Sequence, residues 1–352
     1  METDRFDYEL PESLIAQQPA DRRDASRLMV LNRARGSIEH TVFSDLPDYL
    51  QAGDVLVVNN SLVIPARLYG VKRATGAAIE LLMANPAVGH DAAGSNNWLV
   101  MARPARRLSA GDIIDFTETI HARVISREQD GFFEVAYDCP GNLLDALAQI
   151  GEMPLPPYIR RPANADDLKR YQTVYAQTPG SVAAPTAGLH FTPELLQTCM
   201  DMGVELVQVT LHVGPGTFQP VRASTVEQHQ MHTEWYHVSD DAAARLTAAK
   251  RDGRRVICIG TTSVRTLESA AFVDDQGVLA VQSGWNQTDI FIYPGYHFKI
   301  VDALVTNFHL PKSTLLMLVS ALYDREHILA AYQQAVEQNY RFYSYGDAML
   351  IL

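Results

Sequence analysis

Two histidines lie in segments that are rich in glycine and other small residues. His190 closes the stretch AAPTAGLH, which begins at Ala183, and His212 ends an apolar run that leads into the turn GPGTF at 214–218. Imidazole exchanges a proton near neutral pH, so each histidine is a candidate acid, base or electrophile. In both segments the alternative is a tight turn with a packed histidine, and neither segment alone decides between the two.

The segment GTTSVR at 260–265 joins a predicted strand to a predicted helix. Three hydroxyls fall at the helix N-terminus and Arg265 follows one turn later, an arrangement that suits a carboxylate or a phosphate. Simple N-capping by Thr262 or Ser263 is the alternative. The Gly-Lys-Ser/Thr core of a P-loop is absent, and Gln219 stands where a dinucleotide fingerprint requires its third glycine.

Two later segments are candidates to complete a ligand pocket; the alternative is that their side chains only pack in the protein core. NFHLP at 307–311 follows an apolar strand and contains His309, and YSYGD at 343–347 ends in Asp347. His229 and His232 are the best candidates for metal ligands. Two histidines with no third donor nearby are a weak zinc signal, so we predict no metal site.

The amino-acid composition and the net charge limit the classes of protein to which this chain can belong. Hydrophobic residues make up 47% of the 352 residues, charged residues 20%, and the formal net charge is −12. An acidic chain is a poor non-specific binder of nucleic acid, yet basic residues outnumber acidic ones between Ser61 and Arg127. The three cysteines are far apart, which favours a reducing compartment.

The N-terminal residues have acids and prolines where a signal peptide needs an apolar core, and no window of eighteen apolar residues is free of charge. We therefore expect a cytoplasmic protein that does not enter a membrane. No helical seam or exposed apolar stripe argues for a dimer, so we expect a monomer.

The elements that must position these residues fall into two groups. Short β-rich runs punctuated by Gly, Asn or Pro fill the first part, as in a small antiparallel barrel: RLMVLN at 27–32, DVLVVN at 54–59, PARLYGV at 65–71, AIELLMA at 78–84, WLVMA at 98–102, DIIDF at 112–116, HARVIS at 121–126 and FFEVAY at 132–137. A short helix (NLLDALAQI) and a proline-rich connector at 151–162 follow, and the prolines favour an extended linker.

Strands and helices alternate beyond the connector, which predicts an α/β unit with parallel pairing. We predict a helix opened by Thr192 and Pro193 and closed by Gly203, and a second helix capped by Ser239. Further predicted elements are the strands VELVQVTLHV, RVICIG, DIFIY and ALVTNF, the helix SVRTLESAA and two final helices. Residues 61–150 are thus predicted to be a β-barrel domain inserted into a barrel-like α/β core formed by 1–60 and 151–352.

Six motifs, in order, give the chain a specific resemblance that spans almost its whole length. They are YQTVYA, GSVAAPTAGLHFT, TLHVGPGTFQPV, GTTSVRTLES, the long run from DIFIYPGYHF to LLMLVSAL, and RFYSYGDAML. The chain resembles the S-adenosylmethionine:tRNA ribosyltransferase-isomerase family of queuosine biosynthesis. The least recognisable stretch is Lys72 to Asp138, and Leu322–Asp324 also departs from the family pattern.

The resemblance implies transfer and isomerisation of the ribosyl group of S-adenosylmethionine onto 7-aminomethyl-7-deazaguanine at the wobble position of tRNA. Epoxyqueuosine-tRNA forms, and adenine and methionine are released. S-adenosylmethionine is consumed as a substrate, so no cofactor is expected. The family's α/β core with an inserted β-barrel agrees with the boundary drawn above.

The chemistry implied for the family needs a base beside the sulfonium, a donor for departing adenine and a water-poor pocket. The catalytic candidates are His190 or His212 as the base, with His309 or Asp347 assisting adenine. The predicted substrate-binding residues are Thr186, Gly188, Gly214, Gly216, Thr217, Thr261, Thr262, Ser263, Arg265, Asn307 and Tyr345. The predicted phosphate contacts to tRNA are Arg103, Arg106, Arg107, Arg160, Arg161, Lys169 and Arg170.

Two other functions fit parts of the pattern. A phosphoribosyl or nucleotide-binding transferase would use the Thr261 segment for phosphate and would release no adenine from S-adenosylmethionine. A non-catalytic RNA-binding module is disfavoured by the acidic charge and leaves the glycine- and histidine-rich segments without a purpose.

Overall fold

The computed structural model describes residues 1–87, 89–92, 94–128, 131–214, 216, 221, 223–275 and 277–352. Its strands are β1 Arg27–Asn32, β2 Ser37–Val42, β3 Val55–Asn59, β4 Ser61–Val63, β5 Arg67–Lys72, β6 Ala77–Pro86, β7 Asn97–Arg103, β8 Ile113–Asp115, β9 His121–Arg127, β10 Phe132–Asp138, β11 Gly151–Glu152, β12 Thr178–Ser181, β13 Glu205–Leu211, β14 Glu234–Val238, β15 Val256–Ile259, β16 Ala271–Val273, β17 Leu279–Val281, β18 Gly284–Thr288, β19 Ala303–Asn307 and β20 Ala348–Ile351.

Polar side chains cap most of the helices at their first turn. The helices are α1 Leu143–Ile150, α2 Asp167–Arg170, α3 Pro193–Asp201, α4 Asp240–Arg251, α5 Thr261–Ala270, α6 Thr314–Leu322 and α7 Arg325–Glu337. Thr192 accepts a hydrogen bond from the Leu195 backbone N–H at the start of α3, and Ser239 does the same for α4. Both caps confirm the sequence prediction, since a short hydroxyl side chain satisfies an N–H that has no intrahelical acceptor.

A large mixed sheet forms the core, in the order β18-β14-β13-β3-β15-β19-β20-β1-β2. Its central strands β13, β3, β15 and β19 run parallel to one another, as the alternation of strands and helices predicted. Their carboxyl ends therefore meet at one edge of the sheet. In open α/β sheets such an edge is where ligands bind.

The strand β20 reverses the direction of the sheet beside β19. It pairs antiparallel with β19, placing Ala348 opposite Asn307, and parallel with β1, placing Ala348 opposite Leu28. The residues just before β20 and β1 consequently lie at the same edge as the carboxyl ends of the parallel strands. Three chain regions that are far apart in sequence thus converge there.

The second unit is an antiparallel barrel. Strands β5, β6, β7, β10, β9 and β8 pair in that order, and β8 closes on β5 with Val71 opposite Asp115. Its interior holds a cluster around the fully buried Trp98, and α1 inserts Leu143 and Leu147 into the same cluster. The inserted antiparallel barrel and the mixed α/β core confirm the predicted fold class. Within the stretch 61–150, β4 pairs with β12 outside the barrel.

The proline-rich connector is not a solvated linker. Gly151 and Glu152 pair with β5, and the side chains of Met153, Leu155 and Ile159 are buried. These apolar side chains pack in one cluster with Tyr171 and Tyr345. The connector was predicted to be extended because of its prolines, but its apolar residues bury it between the barrel and the core.

One predicted strand is wrong, and a final strand was missed. The stretch DIFIY at 289–293 contains no strand; the preceding residues Gly284–Thr288 form β18 instead. At the end of β18, the Thr288 hydroxyl accepts a hydrogen bond from the Ile290 N–H, so this N–H bonds a side chain and not the neighbouring strand β14. The last strand, β20, is fully buried and lacks alternation, so its pattern alone does not separate a strand from a helix.

Among the helices of the described residues, none combines the length and the apolarity required to cross a bilayer.

The carboxylate of Glu268 on α5 anchors the chain just before β19. It is buried and accepts hydrogen bonds from the backbone N–H groups of Lys299, Ile300 and Val301 and from the Tyr296 hydroxyl, at 2.9 to 3.0 Å. We predict that Glu268→Gln lowers the stability of the core by about 2–3 kcal/mol, because an amide nitrogen cannot accept these bonds.

Urea unfolding followed by circular dichroism measures this loss. The control is Glu326→Gln, whose side chain is 71% exposed and which should unfold like the wild type. Equal midpoints for the two variants would show that Glu268 does not hold this segment.

Candidate active site

A cavity that opens to solvent lies at the edge where the parallel strands end, and its empty space together with the solvent at its mouth amounts to about 680 Å³. Its lining is contributed by the connector, the segment 183–187, the start of α5, the end of β19 and the segment before β20. None of the described lining residues is an aspartate, glutamate, lysine or arginine. The lining residues are Tyr158, Ala183, Ala184, Pro185, Thr186, Ala187, Val213, Gly260, Thr261, Thr262, Thr306, Asn307, Phe308, His309, Leu310, Ser313, Leu315, Tyr343 and Ser344.

The start of α5 supplies hydroxyls and free N–H groups to this cavity. Gly260 has φ of +88°, a conformation that favours glycine, and it turns the chain from β15 directly into the helix. Thr261 and Thr262 both line the cavity, and the buried Thr262 hydroxyl has no hydrogen-bond partner among the described residues. The helix start can therefore receive an anionic or hydrogen-bonding group of a ligand.

Asn307 connects the walls of the cavity. Its Nδ2 donates to the backbone carbonyl of Tyr343 at 2.8 Å, and its Oδ1 lies 3.3 Å from Nε2 of His190. Tyr343 adopts a left-handed φ of 72°, which is costly for a residue with a side chain. The hydrogen bond from Asn307 helps to hold this conformation, which brings the Tyr343 ring to the cavity.

His309 is the predicted catalytic histidine that lines the cavity. Its Nε2 lies 2.9 Å from the Thr306 hydroxyl, and its backbone N–H donates to the Tyr332 hydroxyl. Burial lowers the pKa of His309 to about 3. The ring is therefore neutral at physiological pH and offers a hydrogen bond without a charge.

His190 lies behind the cavity, at the end of the helical turn 186–190. Its Nδ1 is 2.7 Å from the hydroxyl of Ser26, and its ring stacks on Phe43. Both ring nitrogens have protein partners, and burial lowers the pKa of His190 to about 4. His190 contacts the cavity through Asn307.

His212 lies beyond the end of β13, next to the cavity residue Val213. Its Nδ1 is 2.7 Å from the Ser61 hydroxyl, and its buried Nε2 has no partner among the described residues. Burial lowers the pKa of this histidine to about 4 as well. The ring packs against Gly180 and stacks on Trp285, away from the described lining residues.

Arg265 and Ser263 lie inside α5 and do not line the cavity. The guanidinium of Arg265 pairs with the carboxylate of Glu234, and both side chains are 5% exposed. The Ser263 hydroxyl donates to the Ile259 carbonyl at 2.9 Å. Arg265 therefore already has a counter-ion, although its Nε and Nη2 remain without partners among the described residues.

Asp347 and Tyr345 are buried and bonded to protein groups. Asp347 accepts hydrogen bonds from the backbone N–H groups of Arg27 and Arg341, at 3.0 and 2.8 Å. The Tyr345 hydroxyl donates to Asp167 at 2.8 Å. Neither residue lines the main cavity, and Tyr345 lines a smaller pocket next to it.

The predicted glycines hold the surrounding segments close together. Gly188 packs under the Tyr175 hydroxyl, where a Cβ atom would approach to 2.1 Å, and Gly216 packs against His232. The N–H of Gly214 donates to Glu234 at 2.9 Å. Thr217 lies outside the described residues, whereas Thr186 lines the cavity as a substrate-binding residue must.

The predicted tRNA contacts divide into three groups. Arg103, Arg106 and Arg107 are exposed on the barrel. By contrast, the connector residues Arg160 and Arg161 pair with the carboxylates of Glu12 and Asp167. The remaining two are the exposed Lys169 and the half-buried Arg170 at the end of α2.

Several cavity residues were missed from the sequence. Tyr158, in the connector, shares a 2.6 Å hydrogen bond with Ser344, and Ser313 caps α6 at the opposite side. The only signal for Tyr158 was an aromatic residue within a proline-rich stretch. Likewise, nothing in the local sequence places Ser26 against His190.

Similarity to known proteins identifies the family of this chain. Residues 3–351 match the family model described as queuosine biosynthesis protein. Two curated relatives are named S-adenosylmethionine:tRNA ribosyltransferase-isomerase. The one from Desulfitobacterium hafniense is 53% identical to this chain over the whole of both chains. The one from Natranaerobius thermophilus is 49% identical over 100% of this chain and 99% of the relative. The chain belongs to the queuosine biosynthesis family.

A crystal structure from Thermotoga maritima is titled S-adenosylmethionine tRNA ribosyltransferase. Its alignment with this structure covers 99% of this chain and 100% of the Thermotoga chain. It is 37% identical, with a TM-score of 0.55. The family resemblance drawn from the six motifs is thus confirmed. Five of the six motifs contribute residues to the described lining of the cavity, whereas YQTVYA at 171–176 does not.

We predict that His190, His212 and His309 stay neutral between pH 8 and pH 5, because their folded pKa values are about 4, 4 and 3. In the unfolded chain a histidine titrates near pH 6.5, so between these values the unfolded state binds more protons. Their contribution to stability is therefore complete above about pH 6.5 and is lost progressively as the pH falls towards the folded pKa values.

Imidazole NMR signals, assigned through His→Gln variants, test this prediction. The urea-unfolded chain is the control and should show ordinary titration of the same residues. A midpoint near pH 6.5 in the folded protein for any of the three would contradict the assignment of that histidine to a dry site.

Proposed function

We infer that this chain transfers and isomerises the ribosyl group of S-adenosylmethionine onto 7-aminomethyl-7-deazaguanine at the wobble position of tRNA. Epoxyqueuosine-tRNA is formed, and adenine and methionine leave. The observation that carries this inference is the uncharged cavity at the carboxyl edge of the parallel strands, lined by the family's own motifs. S-adenosylmethionine is a consumed substrate in this reaction, and we propose that the enzyme needs no cofactor.

The chemistry of the cavity suits a nucleoside. Tyr158 and Tyr343 supply aromatic surface, Ala183 and Ala184 leave room, and several hydroxyls can bond a ribose. The start of α5 at Thr261 is the part of the cavity best suited to the methionine carboxylate. We propose that S-adenosylmethionine binds with its adenosine among the small residues and its carboxylate at α5.

The catalytic roles follow from position. Because His309 lines the cavity as a neutral ring, we propose that it donates a hydrogen bond to the departing adenine. His190 does not line the main cavity, but it lines the adjoining smaller pocket and approaches the cavity through Asn307, so it is retained as the candidate base, with His212 as its alternative. A neutral imidazole can accept a proton without first losing one, although a low pKa makes it a weak base.

Recognition of tRNA requires positive charge on an acidic protein. We propose that the exposed Arg103, Arg106 and Arg107 of the barrel contact tRNA phosphates, since no ion pair with a carboxylate holds them among the described residues. We also propose that the enzyme acts as a monomer in the cytoplasm, where tRNA is modified.

The reaction itself is tested by incubating the protein with S-adenosylmethionine and tRNA that carries the deazaguanine precursor. Adenine release, followed by chromatography, should require both substrates and should match the formation of epoxyqueuosine in the digested tRNA. A tRNA that carries guanine at the wobble position is the control and should release no adenine. Transfer of a phosphoribosyl group without adenine release would instead support a transferase of another class.

We predict that His190→Ala abolishes turnover, because it removes the candidate base and a partner of Asn307. S-adenosylmethionine binding should stay within about tenfold, because the ring does not line the main cavity. The matched variant His212→Ala is measured beside it, by single-turnover kinetics and by calorimetric binding. The base is whichever histidine loses the chemical step without losing the ligand. Full activity in His190→Ala would remove this residue from the mechanism.

A further inference from the structure

A second, smaller pocket, open to solvent, adjoins the main cavity. Three arginines, Arg23, Arg170 and Arg341, line it together with Ser26, Ser344 and the candidate base His190. Ser344 lines both spaces, so the two pockets share a wall. We call this space the arginine pocket.

The guanidinium of Arg23 is held by backbone carbonyls. It donates to Leu189 at 3.1 Å and to Lys169 at 2.8 Å. Arg170 is held in the same way, by the carbonyls of Ala20 and Asp21. Carbonyls fix the direction of a guanidinium but do not neutralise it, and each of these groups carries five N–H donors.

Neither Arg23 nor Arg170 has a carboxylate partner among the described residues, although both are partly buried. Burial, together with the neighbouring charge of Arg170, lowers the pKa of Arg23. Two like charges that repel each other at a partly buried site are favourable partners for an anion. The buried Nε of Arg170 also lacks a partner among the described residues.

Other arginines around the site show that this is not the general pattern. Arg160, Arg161 and Arg265 each form an ion pair with a carboxylate. Even Arg341 has Asp347 within 3.3 Å. Among the three arginines that line this pocket, Arg23 and Arg170 are therefore the two without a carboxylate partner in the described residues, in a chain whose net charge is −12.

We propose that the arginine pocket binds one backbone phosphate of the tRNA, next to the nucleotide whose base enters the main cavity. This proposal rests on the proposed function. Guanidinium forks match the oxygens of a phosphodiester, whereas the hydroxyls of Ser26 and Ser344 already bond His190 and Tyr158. The methionine carboxylate is the less suitable occupant, because it would have to pass Ser344 while the start of α5 is available inside the cavity.

The binding of precursor-bearing tRNA to Arg23→Gln and Arg170→Gln, measured at several salt concentrations, tests the proposal. Each variant should bind tRNA about tenfold more weakly, and the slope of log K against log salt should become shallower by about one. The affinity for S-adenosylmethionine should stay within twofold. Arg251→Gln, at the 70% exposed end of α4, is the control and should bind tRNA like the wild type.

Loss of the backbone contacts can also weaken folding, so thermal unfolding is measured in parallel. Arg23→Lys and Arg170→Lys keep the charge and should retain the wild-type salt slope even where stability falls. Unchanged tRNA affinity and slope in both Gln variants would overturn the proposal. So would weaker S-adenosylmethionine binding with unchanged tRNA binding, which would assign the pocket to the carboxylate. Absence of adenine release by the wild type would refute the proposed reaction, but the tRNA affinities would still test the phosphate site.

Discussion

The amide of Asn307 holds together the segments that form the cavity. It ends β19, donates to the carbonyl of Tyr343 and approaches His190, which in turn bonds Ser26 at the start of β1. These groups are buried, so each hydrogen bond lies in a low-dielectric environment and an unmade one would be costly. The position of the cavity thus depends on one polar side chain at the end of a parallel strand, with α5 and β20 arranged around it.

Burial also decides the electrostatic character of the site. The three histidines that sequence reasoning singled out are kept neutral by desolvation, and the described lining of the main cavity carries no charge. Charge is placed beside the cavity instead, in the arginine pocket. This separation suits a reaction that combines a nucleoside-like substrate with a polyanion, since the polyanion is held by its backbone while the reacting base enters a cavity whose described lining carries no charge.

Much of the architecture was predictable because it depends on local rules. The caps of α3 and α4, the barrel strands and the parallel strands β3, β13, β15 and β19 each follow from propensity, capping residues or apolar runs. Predictions failed where tertiary pairing overrides local pattern. The run at 289–293 has the composition of a strand, yet the partner of β14 is the less apolar stretch before it.

The sequence by itself determined the family, the fold class and the motifs that carry the chemistry, because these are recorded in contiguous residues and their spacing. Only the tertiary structure decided which of those residues meet. His309, Asn307, Thr261 and Thr262 share the cavity, whereas Arg265 is paired with Glu234 and Asp347 is bonded to the backbone. The reason is that strand order and burial decide which partner a side chain meets. Strand order brings together residues that are hundreds of positions apart in the chain. Ser26 and Asn307, for example, both bond His190.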